Sequence, residues 1–295
     1  MTFTPPRFLR PALPLWHAFQ RLSAHDGIEL AGFIAYTALI SFFPFVIFLL
    51  ALAGFFGGTE IAQNTLRTAF DTMPPEVAQT LLPIVNEIFR KEQPGLLTVG
   101  ILGTIWATSA GVEALRLGIL RGWGMEETRP FWRKRATSLG FVALAAVGAL
   151  AAGLFVVAGP WVMGQLEHFF FFEDTLLLVI VTVLRLAIAF AVITAITGFL
   201  YSELPPITVP MRLVWRGAVF FGIGWIALAS LFSLYLSHSG DYTVTYGSLG
   251  GVVITLLFMH VSTILFLLGV ELNHVLVAPA DRSVADLIAS ETESA

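Results

Sequence analysis

The chain has 295 residues, of which 57% are hydrophobic and only 12% charged, against roughly 25% charged in a soluble domain. Its net charge of −4 opposes nucleic-acid binding, which needs a basic face to neutralise phosphates. The absence of cysteine excludes a disulfide framework, thiolate catalysis, an iron–sulfur cluster and a zinc–thiolate site.

In chain order, residues 1–30 form an N-terminal segment with no apolar core between a basic start and a small-residue cleavage site, so no removable signal peptide is expected. Within it, Leu13, Trp16 and Phe19 recur at near-helical spacing among Arg21, His25 and Asp26, which predicts an amphipathic interfacial helix over 12–28. Six long apolar runs then occupy 31–278: 33–57, 95–120, 137–164, 174–201, 213–237 and 247–276. Each reaches the ~20 residues needed to cross a ~30 Å hydrocarbon layer. Pro44 lies inside the first and is expected to kink it. Between the first two, residues 58–94 carry apolar stripes on both sides of Pro74–Pro75, predicting two amphipathic helices as an external cap. From 279 to 295 the chain is small and polar, a flexible tail. The expected fold is therefore an all-α integral membrane protein with six transmembrane helices.

Orientation follows from the bases. Arg7, Arg10 and Arg21 precede the first span; Arg116, Arg121, Arg129, Arg133, Lys134 and Arg135 surround the second connection; Arg212 and Arg216 follow the fourth span, and Arg282 the sixth. The opposite side holds Arg67, Arg90 and Lys91. Twelve against three places both termini in the cytoplasm by the positive-inside rule.

The sixteenth base, Arg185, sits about ten residues into the fourth span, or ~15 Å deep at 1.5 Å per residue. An Arg at that depth costs ~2.5–3.5 kcal/mol on insertion scales. Either carbonyls and hydroxyls tie it down for structural reasons, or it faces an aqueous cavity that accepts an anionic headgroup. The second reading is preferred, with Thr182 on the same face and Tyr36, Pro44, His260, Tyr246 and Gly247 along the path. For His260 alone, a hydrogen-bonded structural role outweighs a proton relay. Glu113, Arg116, Glu271 and Asn273 gather near the cytoplasmic ends as a gate or a structural network, with Glu113 and Arg116 paired at i, i+3. Stripes of small residues, such as Gly111–Gly118 in the second span and Gly251, Thr255, Ser262, Gly269 and Asn273 in the sixth, read as close helix seams in preference to a wet seam lined by their hydroxyls. No catalytic, metal or cofactor signature appears: six His are scattered without ligand spacing, and no phosphate-cradling loop or nucleophile elbow is present.

The segment AGFIAYTALISFFPFVIFLLALAG at 31–54 resembles the opening motif of the YihY/BrkB family of bacterial inner-membrane proteins. RPFWRKRATSL at 129–139, LYSELP at 200–205, WRGA at 215–218, YGSLGG at 246–251 and LLGVELN at 267–273 extend the resemblance in order over roughly 15–276. Thr37 and Leu120 depart from the family pattern, which has an aromatic residue and an Asn there. The resemblance implies a six-helix inner-membrane protein. The family once carried the label ribonuclease BN and has been linked to serum resistance and envelope lipid biology; the residues oppose the nuclease label, offering neither an acidic metal cluster nor a basic RNA surface.

The leading functional expectation is a transporter or flippase of an amphipathic, anionic envelope lipid, with membrane lipids as partners and no nucleic acid. The alternative is a non-transporting scaffold that holds an envelope-assembly protein through the external cap or the basic second connection.

Overall fold

The computed structural model describes residues 13–42, 44–46, 48–49, 94–148, 175–238 and 248–277, and among them every regular element is a helix. These are α1 (Leu13–Ala24), α2 (Gly27–Val46), α3 (Pro94–Trp123), α4 (131–148), α5 (Thr175–Glu203), α6 (Met211–His238) and α7 (Ser248–Val277). Among the described residues, four stretches are long and apolar enough to cross a membrane: Gly27–Val46, Leu186–Glu203, Met211–Tyr235 and Val252–Val277. They correspond to the first, fourth, fifth and sixth expected spans. The second expected span falls within α3, one unbroken helix of 30 residues that carries Glu113, Arg116 and Arg121 in its later half. The third, 137–164, is described only as far as 148. The external cap at 58–94, apart from Pro94, and the tail at 279–295 lie outside the described residues.

The helix ends follow from local chemistry. α1 stops at Ala24, and Asp26 adopts a left-handed φ of 52°, which Asp tolerates better than most residues. Leu30 N–H then bonds to Asp26 O at 2.9 Å, so α2 restarts at once in a new direction. α3 ends in a paired carbonyl cap around Gly124, whose φ is 69°. Gly124 N–H reaches Arg121 O at 3.1 Å and Met125 N–H reaches Leu120 O at 2.9 Å, while Met125 buries its side chain beside Leu120. Ser202 fixes the α5–α6 turn twice: its hydroxyl donates to Val209 O at 2.6 Å, and its carbonyl accepts Val209 N–H at 3.0 Å.

α7 is the hub. It packs against α6, α3 and α1, and α6 packs in turn against α5. Small residues permit the closest of these approaches, as membrane helices require when lipid is as apolar as their side chains. A Cβ on Gly217 would collide with Gly269 O, and one on Gly269 would lie 2.6 Å from Tyr201 Oη. Asn273 locks this crossing from α7: its Oδ1 accepts Gly217 N–H at 2.7 Å and its Nδ2 donates to Val214 O at 3.0 Å. The α3 stripe packs as its residue sizes suggest, with Gly111 against Ser41 of α2 and Gly118 against Leu267 and Ile34. On α6 the small residues divide between neighbours: Gly217 faces α7, whereas Gly222 faces Thr194 and Phe190 of α5.

Gly217→Ala is expected to force α6 and α7 apart, since the obstructing atom is backbone. Overpacking of this kind costs ~1–3 kcal/mol, a fall in Tm of several degrees in a thermal-shift measurement. Gly140→Ala, where an added Cβ meets nothing within 4 Å, serves as the unaffected control.

Candidate functional site

On the side of the bundle, α3, α5, α6 and α7 line an open cavity of about 310 Å³, in the size range of small-molecule sites. Its wall is apolar for most of its area: Leu115, Ile193, Leu200, Phe221, Trp225 and Phe266 contribute. Three hydroxyl residues interrupt it, Thr197, Ser262 and Thr263. Thr263 donates to Met259 O at 2.8 Å, the usual intrahelical satisfaction of a membrane hydroxyl. Ser262 Oγ is buried with no hydrogen-bond partner. Buried polar atoms are normally paired, so this one marks a place where a ligand donor or acceptor could bind. Ile196, on the rim, is 56% exposed, so the cavity reaches the outer surface of the bundle.

A second constellation sits where α1 meets α7. Glu271 is almost fully buried, and both its oxygens are taken by the N-terminal segment. Arg21 Nε donates to Oε2 at 2.8 Å, and His25 Nδ1 lies 2.7 Å from Oε1. Arg21 also donates to Gly122 O at 3.3 Å, tying α3 into the same contact. Ala18, Arg21, Leu22 and His25 form an i, i+3, i+4, i+7 stripe, so this face of α1 carries charge among its buried apolar residues. The opposite face exposes Trp16 and Phe19. Beside Glu271, a void of about 10 Å³ is lined by Gly118, Gly122, Leu267 and His25, about the space of one water.

The third constellation joins α3, α4 and the loop between them. Arg116, buried, donates to Glu113 Oε2 at 2.6 Å and to Ser138 Oγ at 2.7 Å, while Ser138 Oγ donates to Glu113 Oε1 at 2.6 Å. Glu127 stands 3.8 Å from Arg116 Nε and is chelated by Arg129, whose Nη2 continues to Leu204 O at 2.7 Å. Burial alone would raise the Glu127 carboxyl, but hydrogen bonds from Arg129 and the charges of Arg129 and Arg116 outweigh it and hold its pKa below the ordinary value. Arg135 lies 3.5 Å above the Trp106 ring and donates to Trp106 O, so α4 is fastened across α3 twice.

Of the four residues expected as a gate or network, Glu113 and Arg116 do pair, whereas Glu271 and Asn273 serve separate contacts with α1 and α6. Of the expected pathway, Tyr36 is exposed on α2, Pro44 is half-buried in helical backbone, and His260 rests its ring against Gly32. None of these three lines the cavity. Thr182 and Arg185 lie on α5, but their side chains, and the whole of Tyr246 and Gly247, are outside the described residues. Arg21, His25, Ser138, Glu127 and Arg129 were not expected as partners, and Ser262, assigned to a packing seam of the sixth span, lines the cavity instead. For Arg21 and His25 the signal was present, as polar members of a buried helical stripe, and for Ser262 as a hydroxyl on the sixth span's small-residue stripe; for Ser138 no local pattern distinguishes it from other membrane hydroxyls.

Glu271→Gln removes the charge that Arg21 and His25 converge on. The expected result is a folded protein whose α1 opens more readily, by ~1–3 kcal/mol given that both partners are partly solvated. It is read as faster amide hydrogen exchange confined to Leu13–Ala24. Separately, the depressed Glu127 carboxyl contributes stability that is complete above the ordinary carboxylate pKa and lost as pH falls through its folded value. Acid melting curves should therefore lose part of their pH dependence in Glu127→Gln.

Comparison with known proteins agrees with this architecture. The family profile described as virulence factor BrkB matches residues 18–288. The ribonuclease-like protein YfkH of Bacillus subtilis is 30% identical over 259 residues, covering 88% of this chain and 93% of its own. A UPF0761 membrane protein of Pseudoalteromonas atlantica is 25% identical over 277 residues, 91% of this chain and 89% of its own. The UPF0761 protein Nmul_A0452 of Nitrosospira multiformis is 24% identical over 88% of this chain, which spans only 60% of that longer relative. No solved structure matches. With nearly the whole described bundle inside the matched region, the chain is a membrane protein of the BrkB family.

Proposed function

We propose that this protein binds an amphipathic envelope lipid with an anionic headgroup and moves it between leaflets of the bacterial inner membrane. The observation that carries the reading is the cavity of about 310 Å³ between α3, α5, α6 and α7, apolar on its walls and holding the unpaired Ser262 hydroxyl. An acyl chain matches the apolar wall, and a glycerol ester or hydroxyl matches Ser262. The exposed rim at Ile196 gives a lateral entry from lipid, so the chain need not cross water. Arg185 belongs to the same reading through its register: it precedes Ile196 on α5 by about three turns, or roughly 16 Å. A cation at that depth offsets headgroup charge where water cannot.

The orientation that goes with this reading has both termini in the cytoplasm. Arg21, Arg116, Arg121 and Arg129 gather at the end of the bundle where α1 docks, which supports that side as the cytoplasmic one. The ribonuclease-like name of the Bacillus relative draws no support from side-chain placement: among the described residues, no three His, Asp or Glu side chains gather as metal ligands.

A scaffold role is the second reading, favoured by Trp132, 77% exposed between Phe131 and Arg133 at the start of α4. Aromatic and basic side chains together suit a protein partner's anchor site.

Translocation of a fluorescent phospholipid in proteoliposomes tests the first reading. Wild-type protein should exceed protein-free vesicles, and Ser262→Trp, which fills the cavity, and Arg185→Ala should each lower the rate by about tenfold. Wild-type rates equal to protein-free vesicles would sink it. Undiminished translocation by both variants would remove the cavity from the mechanism. Loss of a co-purifying partner in Trp132→Ala, with no translocation by wild type, would favour the scaffold.

A further inference from the structure

Beside the α1–α2 turn lies a second, more open cavity of about 260 Å³, and its lining differs in kind from the first. Among the described residues its lining is ionisable throughout: His25, Asp26 and Arg121. The charges beneath it are already matched, since Arg21 and His25 Nδ1 are committed to Glu271. The side chains of Asp26 and Arg121 are not committed, and neither makes a hydrogen bond or ion pair among the described residues. Both are exposed, which an unliganded pair of opposite charges facing one recess would be.

We infer that this recess binds a phosphate ester that also carries a primary ammonium, the chemistry of a phosphoethanolamine group. Arg121 supplies the guanidinium, which pairs with phosphate oxygens in a planar fork. His25 has Nδ1 on Glu271, so its remaining nitrogen, Nε2, is the one left for the same phosphate. In the protonated form the ring donates from both nitrogens, one to Glu271 and one to the ligand. Asp26 supplies the carboxylate for the ammonium. A purely anionic ligand would meet Asp26 as a like charge, and a purely cationic one would meet Arg121, so the recess selects against both. The backbone at Asp26 is fixed rather than adaptable: its φ of 52° and the Leu30 N–H bond to its carbonyl hold the side chain at the junction of two helices.

The inference rests on the reading of this protein as a lipid-binding one, and narrows it to a headgroup that carries both charges. It also separates from that reading experimentally, because it concerns equilibrium binding and not movement.

The test uses the full-length chain in detergent micelles, with retained lipids read by native mass spectrometry. The probes are phosphatidylethanolamine, phosphatidylglycerol, which lacks the ammonium, and phosphatidylcholine, whose quaternary nitrogen has no N–H to donate. Wild type should retain phosphatidylethanolamine about tenfold over either of the others, the factor expected for one charge-assisted hydrogen bond. Asp26→Asn, which keeps both size and tolerance of positive φ, should abolish that preference and raise phosphatidylglycerol retention, since the like charge facing its phosphate is gone. Arg121→Gln should lower retention of all three. Equal retention of the three lipids by wild type, or a preference that survives Asp26→Asn, overturns the proposal. Excess soluble phosphoethanolamine distinguishes the sources of the group: displacement of the lipid assigns the recess to the free zwitterion as well, and no displacement assigns it to the lipid headgroup. Selective retention without any translocation in proteoliposomes would leave this site standing and remove the transport reading.

Discussion

The close crossing of α6 and α7 at Gly217 and Gly269 fixes most of what surrounds it. With no Cβ on either side, Gly269 lies against the Gly217 backbone, and the rest of the LLGVELN segment of α7 is thereby set in rotation. Two residues beyond Gly269, Glu271 meets α1; four beyond, Asn273 returns to α6 and bonds its backbone. On the earlier side, Phe266 accepts the Tyr201 hydroxyl at 2.6 Å through its carbonyl and turns its ring into the cavity wall. A shift of α7 by one position would move every one of these contacts to a different neighbour, because successive residues on a helix lie about 100° apart.

Glu271 shows what such a rotation costs and what it secures. A carboxylate removed from water carries a penalty of several kcal/mol, which partners offset only when geometry is good. Here both oxygens are engaged at 2.7–2.8 Å, so the penalty is largely met. The net contribution to stability is small for the same reason. Its larger effect is on specificity: apolar contacts of Ala18 and Leu22 with α7 could slide along the helix, whereas Arg21 and His25 have one carboxylate to reach. The Arg116 network acts in the same way on α4, where Ser138 both donates to Glu113 and accepts from Arg116.

How much of this was legible in the sequence depends on the range of the interaction. Long apolar runs announce helices because the period and length are local, and α1, α2, α5, α6 and α7 fall where the runs predict. The Glu113–Arg116 pair was legible for the same reason, lying within one turn. Glu271 and Asn273 were visible as costly polar residues at a helix end, but not their partners, which come from Arg21 far earlier in the chain and from the α6 backbone. Grouping them with Glu113 and Arg116 in a single network followed from shared depth, and depth does not decide which face a residue presents. The quoted motifs fare better as geometry than as function. WRGA and LLGVELN meet at the glycine crossing, and LYSELP supplies Tyr201, the Ser202 turn and the Leu204 carbonyl that receives Arg129. Of the cavity only Ser262 was legible, as a hydroxyl on the sixth span's stripe, since the wall is made by four helices from distant parts of the chain.

The two cavities stand on different faces of α3, and that arrangement constrains any molecule that uses both. Leu115 lines the apolar one and Arg121 the charged one, roughly 9 Å apart along the axis. Between them lies the seam where Gly118 meets Leu267 and Gly122 meets Val270. A Cβ at either glycine would come within 2.6–2.7 Å of those side chains, so the seam is closed by flexible side chains and not by backbone. The α6–α7 crossing, by contrast, is closed by backbone against backbone and cannot open without separating the helices. If one part of this bundle yields to join a charged recess to an apolar cavity, it is the contact of α3 with α7, where side chains and not backbone close the gap. The water-sized void beside Glu271 lies along that same seam, so packing there is already incomplete, and the Arg21 contact to Gly122 O spans it. The N-terminal helix therefore sits where it can hold the seam shut, which gives a structural reason for a buried carboxylate whose contribution to stability alone would be slight.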